Sequence, residues 1–166
     1  MGSEIQKVAV VGTGVIGASW SALFLAKGLD VIAFDPADGA ERTLREYIAN
    51  AWPAMDALGQ VTPLGSPSRL SFSTKLEDIA DADFVQENGP ERLAFKQDLY
   101  RHLDQLLPPV VMIATSSSGK LASSQAMLTH VTASSTVVLD TAGDAKYSSN
   151  ARCSASKARL ALRFGP

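Results

Sequence analysis

Length, composition and charge exclude several classes of protein. The chain has 166 residues, enough for one well-buried domain, and 46% hydrophobic with 19% charged residues is typical of a globular protein. A net charge of −2 provides no basic surface for a phosphate backbone, so we expect no nucleic-acid partner. No apolar stretch approaches the roughly 20 residues that cross a bilayer, so we expect no membrane partner. Cys153 is the single cysteine, so no internal disulfide can form and no Cys/His cluster has zinc-site spacing. We therefore predict a cytoplasmic location and no metal.

The beginning of the sequence predicts a strand, a helix and a second strand. Residues 7–12 are an apolar run rich in β-branched side chains that ends in glycine, as in a strand buried on both faces. From residue 15 to 27 apolar side chains recur at helical spacing, and Gly28 follows as a natural helix stop. A second apolar run, residues 31–34, ends at Asp35. Together these segments form a βαβ unit.

The middle of the sequence continues the alternation of strands and helices. A helix over 41–58 is followed by a Gly/Pro/Ser loop over 59–67 and a strand over 69–73. Next come a short acidic helix over 75–80 and a strand over 84–87. Pro90 then opens a helix that Pro108-Pro109 stop, and a strand over 110–114 follows. In the helix after Pro90 we expect one face to carry Leu93, Leu99, Leu103 and Leu106. This alternation predicts an α/β protein with a doubly wound parallel sheet.

The C-terminal part has weaker patterning. Residues 121–128 are compatible with a short helix and 136–139 with a strand, whereas 142–157 are small, polar and without period. We therefore predict one domain over 1–140 and an irregular tail over 141–166.

A glycine motif points to a dinucleotide. The sequence Gly12-Thr13-Gly14-Val15-Ile16-Gly17 is G-x-G-x-x-G. It is a weak signal alone, but here it joins a buried strand to an amphipathic helix, and Asp35 follows at the end of the next strand. Gly12 permits the tight turn, Gly14 lets a pyrophosphate approach the backbone, and Gly17 lets helix and strand pack closely, while the helix N-terminus attracts the anion. All six motif residues are predicted cofactor-binding residues of a Rossmann-type domain.

Asp35 favours NAD as the cofactor. Its carboxylate is placed to accept hydrogen bonds from the adenosine ribose, and its charge would repel the 2′-phosphate of NADP. Three other interpretations stay open: glycines that serve only a tight turn, Asp35 as part of a strand-end turn with Pro36, and S-adenosylmethionine as the ligand. The full three-glycine spacing argues against the last.

Further segments carry a family resemblance. Together with the glycine motif and Asp35, the runs Phe84-Val85-Gln86-Glu87-Asn88-Gly89-Pro90-Glu91-Arg92 and Ile113-Ala114-Thr115-Ser116-Ser117-Ser118-Gly119 resemble the 3-hydroxyacyl-CoA dehydrogenase family, in the branch of carnitine dehydrogenases and lambda-crystallin. The resemblance covers about residues 5–130. It implies an NAD-dependent oxidoreductase that moves a hydride from a 3-hydroxy substrate to NAD, as in fatty acid metabolism. Acyl-CoA, carnitine and sugar acids all remain open as substrates, and members of the family are usually homodimers.

The resemblance also implies roles for individual residues. Glu87 and Arg92 match family residues near the nicotinamide end of NAD and become cofactor-binding candidates. Ser118 matches a serine that contacts substrate and nicotinamide, and it is the catalytic candidate. Without the resemblance, Glu87 and Arg92 could be a helix-start pair, and Ser118 part of an N-cap run before Leu121.

Two departures from the family affect the expected activity. The family's general base is a histidine in a G-H-x-x-N-P stretch, but the corresponding residues here are Val137-Val138-Leu139-Asp140-Thr141-Ala142. Neither His102, expected at a solvated helix position, nor His130 stands in that place. The family's C-terminal helical domain, which carries the dimer interface, is also not found in the sequence. We therefore expect a truncated or altered, catalytically incomplete chain, with a non-catalytic NAD-binding module or a crystallin-like structural protein as alternatives.

Overall fold

A seven-stranded sheet forms the centre of the computed structural model. The model describes residues 5–116 and the backbone of two later strands, Thr136–Leu139 and Ala145–Ser148. The strands are β1 (Lys7–Val11), β2 (Asp30–Phe34), β3 (Leu70–Ser73), β4 (Phe84–Glu87), β5 (Met112–Thr115), β6 (Thr136–Leu139) and β7 (Ala145–Ser148). They lie in the order β3-β2-β1-β4-β5-β6-β7, and all neighbouring pairs are parallel except β6 and β7. The order reverses between β1 and β4, as in the predicted doubly wound fold.

Among the described residues, three α-helices cover the sheet. They are α1 (Val15–Ala26), α2 (Ala40–Ala57) and α3 (Leu93–Leu106). Because side chains alternate along a strand, β1 supplies both faces: Val8 and Val10 pack with α1 and α2, and Ala9 and Val11 pack on the opposite face with α3. The two apolar clusters fix the helices and leave the carboxyl ends of the parallel strands as the edge at which ligands bind in such folds.

Most of the predicted bounds lie within one residue of the observed ones, but three elements differ further. The helix expected to open at Pro90 starts at Leu93, because the Arg92 amide donates to the Pro90 carbonyl in a turn and Arg92 itself is extended. The strand expected from Val110 starts at Met112, and Val110 is 91% exposed. The acidic helix expected over 75–80 is a single 3-10 turn, Leu76–Ile79.

The buried face of α3 also differs from the prediction. Leu99 and Leu103 are buried, but Leu93 is 39% exposed, and the buried face instead includes Lys96 and Tyr100. At about 100° per residue, Leu93 lies well away from Leu99 around the helix, whereas Lys96 shares its face.

The predicted irregular tail contains regular structure. Ala145–Ser148 forms β7, which pairs antiparallel with β6 in the register Val137↔Tyr147. Pairing satisfies backbone groups that β6 would otherwise present at an open sheet edge, so a segment without hydrophobic periodicity can still form a strand. The helix predicted over 121–128 lies outside the described residues. No helix among the described residues is long and apolar enough to span a membrane.

Candidate functional site

The glycine turn between β1 and α1 is tightly packed where Gly17 faces Gly12. Gly12 has φ +84°, a left-handed conformation that favours glycine. A Cβ built on Gly17 would lie 1.9 Å from the carbonyl oxygen of Gly12. Glycine at position 17 is thus what allows α1 to start directly against the end of β1, in agreement with the packing role predicted for it.

The same turn is open at Gly14. A Cβ on Gly14 would meet no atom within 4 Å, so the backbone at this position faces open space. Gly14 is the N-cap of α1; no side chain caps this helix end, and its first turn holds no acidic residue. The exposed amides and the positive end of the helix dipole therefore suit the pyrophosphate of a dinucleotide. Val15 and Ile16 are 74% and 57% exposed at this edge.

Asp35 lies beside the glycine turn, at the end of β2. Its Oδ2 accepts hydrogen bonds from the amide and the hydroxyl of Thr13, both at 2.9 Å, and its Oδ1 accepts one from the amide of Ala37 at 3.0 Å. The bond to Ala37 is an Asx turn across Pro36, so the alternative interpretation as a strand-end turn is also realised. A carboxylate offers about four acceptor positions, so Thr13 and Ala37 orient Asp35 while leaving acceptor capacity for a ribose hydroxyl.

The loop after β4 packs against the glycine turn. A Cβ on Gly12 would lie 3.0 Å from the carbonyl carbon and oxygen of Asn88 and 3.1 Å from the amide nitrogen of Gly89. The amide of Asn88 donates to the carbonyl of Val11 at 2.8 Å. The peptide between Asn88 and Gly89 therefore forms the wall behind Gly12.

Glu87, the last residue of β4, lies in the interior of the protein and not on the surface formed by the carboxyl ends of the strands. Its side chain is fully buried; Oε2 accepts from Nζ of Lys96 and Oγ1 of Thr115, both at 2.7 Å, and from the hydroxyl of Tyr100 at 3.2 Å. Its Oε1 accepts from the amide of Gly89 at 2.5 Å. Burial, together with the charge of Glu87, raises the pKa of Tyr100 far above its usual value, so the phenol remains a hydrogen-bond donor.

On the opposite face of the sheet, polar side chains join the ends of β4 and β5. Nε2 of Gln86 donates to Oγ of Ser116 at 2.9 Å and to Oδ1 of Asn88 at 3.2 Å, and Ser116 donates to the same Oδ1 at 2.9 Å. Gln86 is 1% exposed, and its buried Oε1 has no hydrogen-bond partner among the described residues. A buried acceptor of this kind attracts a donor.

The structure brings together some of the predicted site residues and not others. The six motif residues and Asp35 meet around one turn. Arg92 is exposed at the N-cap of α3, and Glu87 is enclosed beneath the loop. Ser118 and His130 lie outside the described residues. His102 is 56% exposed on α3, with Nδ1 3.8 Å from Asp98.

Sequence reasoning missed the partners of Glu87. Lys96, Tyr100 and Thr115 are all buried around its carboxylate. A signal was present, because Lys96 precedes Leu99 and Leu103 at spacings of three and seven, which places a lysine on the apolar face of the helix. A lysine at such a position is rarely buried without an acidic partner.

Comparison with known proteins decides the family. The model of the 3-hydroxyacyl-CoA dehydrogenase, NAD binding domain, matches residues 7–139. The chain belongs to this family. The match covers the glycine turn, Asp35 and the ends of β4 and β5, and the cofactor of the domain is NAD. The family is one of oxidoreductases, and the Rossmann-type fold and the NAD interpretation predicted from the sequence are confirmed.

Similar proteins narrow the branch. The chain is 48% identical over 122 residues to an L-carnitine dehydrogenase of Pseudomonas sp, covering 73% of this chain and 38% of that protein. It is 50% identical over 117 residues to the L-carnitine dehydrogenase of Streptomyces griseus, covering 70% and 35%. The chain thus spans less than two fifths of the length of these relatives.

Solved structures agree on the fold. The 5-formly-3-hydroxy-2-methylpyridine 4-carboxylic acid 5-dehydrogenase, an NAD+ dependent dismutase, is 29% identical with a TM-score of 0.69, over 84% of this chain and 46% of that one. The 3-hydroxybutyryl-CoA dehydrogenase of Escherichia coli K12 gives the same TM-score at 24% identity, over 84% and 30%.

Proposed function

We propose that this chain provides the NAD site of a dehydrogenase that oxidises a small 3-hydroxy substrate, and that carnitine is the first substrate class to test. The observation that carries the proposal is the turn from Gly12 to Gly17. The turn is tightly packed at Gly17 and open to solvent at Gly14, and Asp35 lies beside it, oriented by hydrogen bonds from Thr13. The choice of carnitine rests on relatives near 48% identity that are named L-carnitine dehydrogenases.

The residues of the chain divide the binding of NAD among them. The amides at the start of α1 hold the pyrophosphate over Gly14, and Asp35 accepts from the adenosine ribose. Thr13 keeps the Asp35 carboxylate facing the turn through two hydrogen bonds. When bound, NAD supplies the acceptor for the hydride that leaves the substrate carbon.

The substrate side of the site rests on the family resemblance. We propose that Ser118, three residues beyond the end of β5, contacts the substrate and the nicotinamide, since ligands of such sheets bind beyond the carboxyl ends of the strands. Arg92 is exposed at the start of α3 and is proposed to approach the cofactor from that side. A role in fatty acid metabolism, a cytoplasmic location and a homodimer stay predictions.

Calorimetric titration of the purified chain with NAD and NADP tests cofactor binding, and we expect NAD to bind more tightly. Formation of NADH is then followed by absorbance with carnitine, 3-hydroxybutyryl-CoA and gulonate. For each substrate, the unmodified chain is compared with the Ser118→Ala variant. This change removes the proposed substrate contact and leaves the glycine turn intact. Equal affinities of the unmodified chain for NADP and NAD would contradict the role proposed for Asp35. A Ser118→Ala variant in which both the Kd for NAD and the rate of NADH formation are unchanged would contradict the role of Ser118.

A further inference from the structure

We propose that Glu87 is a positioning residue that does not touch NAD but fixes the loop behind Gly12, and so sets the geometry of the nicotinamide half of the cofactor site. The proposal rests on the proposed function of the Gly12 turn as an NAD site. It assigns to Glu87 a role different from the direct cofactor contact expected from the resemblance.

The carboxylate is anchored firmly on the α3 side. Glu87 and Lys96 form an ion pair at 2.7 Å with side chains 0% and 1% exposed, and Tyr100 and Thr115 donate to the same oxygen. Burying such a pair costs desolvation energy, and apolar residues of similar volume are often as stable or more stable. Stability alone therefore gives no reason for a buried ion pair here, whereas a need to hold one oxygen in a fixed place does.

The second oxygen connects this anchor to the cofactor turn. Oε1 of Glu87 accepts from the amide of Gly89 at 2.5 Å, and a Cβ on Gly89 would lie 2.9 Å from the same oxygen and 2.7 Å from the ring of Phe95. On its other side, the Asn88–Gly89 peptide lies so near Gly12 that a Cβ built there would be 3.0–3.1 Å from its atoms. A displacement of the Glu87 carboxylate consequently moves the wall of the glycine turn.

The position of β4 predicts which part of the cofactor would respond. The strand order reverses between β1 and β4, and a dinucleotide lies across this point with one mononucleotide on each half of the sheet. Asp35 lies on the half formed by β1, β2 and β3, and Glu87 lies on the other half. AMP has only one of the two phosphates that meet the glycine turn and lacks the nicotinamide half. A change at Glu87 should therefore weaken NAD more than AMP.

The test uses Glu87→Gln and Lys96→Met, with Glu41→Gln and Arg45→Met as matched controls. The controls replace a glutamate by glutamine and a basic residue by methionine in an exposed ion pair on α2. For the Glu87 and Lys96 variants we expect the Kd for NAD to rise about tenfold, the equivalent of one hydrogen bond to a charged group, and the Kd for AMP to change less than about twofold. The controls should leave both constants unchanged.

Nuclear magnetic resonance gives a readout that does not depend on ligand. The amide signals of Gly89 and Gly12 should both shift in Glu87→Gln and in neither control. Should the Glu87 and Lys96 variants fail to fold, Thr115→Val removes a single donor from Oε2 and should give a smaller effect in the same direction.

The outcomes separate this proposal from the proposed function. An equal loss of NAD and AMP affinity, or an unchanged NAD affinity, would overturn the positioning role. If the unmodified chain binds no NAD, the proposed function fails. The shift of the Gly12 amide then decides by itself whether Glu87 controls the turn, and a Gly12 signal that stays in place overturns the inference.

Discussion

Gly17→Ala should separate the packing role of the motif from its ligand role. The added methyl carbon would lie 1.9 Å from the Gly12 carbonyl oxygen and 3.0 Å from its carbon. Both contacts are to backbone, so no side-chain rotation relieves them, and α1 has to move away from β1. Overpacking of this kind costs about 1–3 kcal/mol, and we expect the upper end. For a chain of this size that corresponds to a fall in Tm of roughly 6–12 °C.

Gly14→Ala is the matched control, because the same methyl group enters open space. Gly14 has φ −59° and ψ −175°, which alanine adopts without strain. A small gain from the stiffer unfolded chain and a small loss at the N-cap should leave stability within about 1 kcal/mol of the original. NAD affinity should nevertheless fall, because the methyl occupies the approach of the pyrophosphate.

Thermal unfolding and calorimetric titration of the two variants check these expectations together. Gly17→Ala is expected to lose stability, and Gly14→Ala is expected to lose affinity at nearly normal stability. A Gly17→Ala protein with unchanged Tm, or a Gly14→Ala protein that binds NAD as well as the original, would refute the division of roles read from the packing.

Two other changes probe single carboxylate and phenol groups. Asp35→Asn removes the charge that repels a 2′-phosphate, so the ratio of NADP to NAD dissociation constants should fall about tenfold in calorimetric titrations; a constant ratio would show that Asp35 does not select the cofactor. Tyr100→Phe should alter stability at alkaline pH. Because the native pKa of Tyr100 is raised, its phenol ionises first in the unfolded chain, so this residue lowers stability as pH rises above 10, its usual pKa, and has no such effect below it. In urea unfolding between pH 9 and 11 the original chain should lose more stability than the phenylalanine variant, and parallel losses would contradict this.

The order of strands and helices could be predicted because it depends on short-range patterning. Apolar β-branched runs identified β1 and β2, and the glycines with Asp35 identified the ligand edge. The start of α3 was misplaced because proline is compatible both with the first turn of a helix and with the preceding loop. Here the backbone hydrogen bond from Arg92 to Pro90 selected the loop.

The contact of Glu87 with Thr115 could not be predicted, because it depends on residues distant in sequence. Thr115 is 28 residues away and reaches the carboxylate only after β5 pairs with β4. Strand alternation then decides that Gln86 and Glu87, although adjacent, face opposite layers. β7 was missed for a related reason, since its pairing with β6 is a tertiary effect and its sequence has no period of its own.

Gln86→Met provides a last test of what the polar ends of β4 and β5 are for. The change removes hydrogen bonds to Ser116 and Asn88, worth about 0.5–1.5 kcal/mol each, but these two side chains remain bonded to each other. It also removes the buried Oε1, which has no partner in the part of the chain that the structure describes, and burial of such an acceptor costs about 1–3 kcal/mol.

The opposing contributions of Gln86 nearly cancel, so urea unfolding should place the Gln86→Met variant within about 1 kcal/mol of the original chain. Because Gln86 holds Asn88 and Ser116 through hydrogen bonds at the ligand edge, we expect NAD affinity to fall in the variant. Destabilisation of several kcal/mol with unchanged NAD affinity would instead show that Oε1 is satisfied within the fold. Gln86 would in that case serve the scaffold alone, unlike Glu87, which is proposed to position the cofactor site.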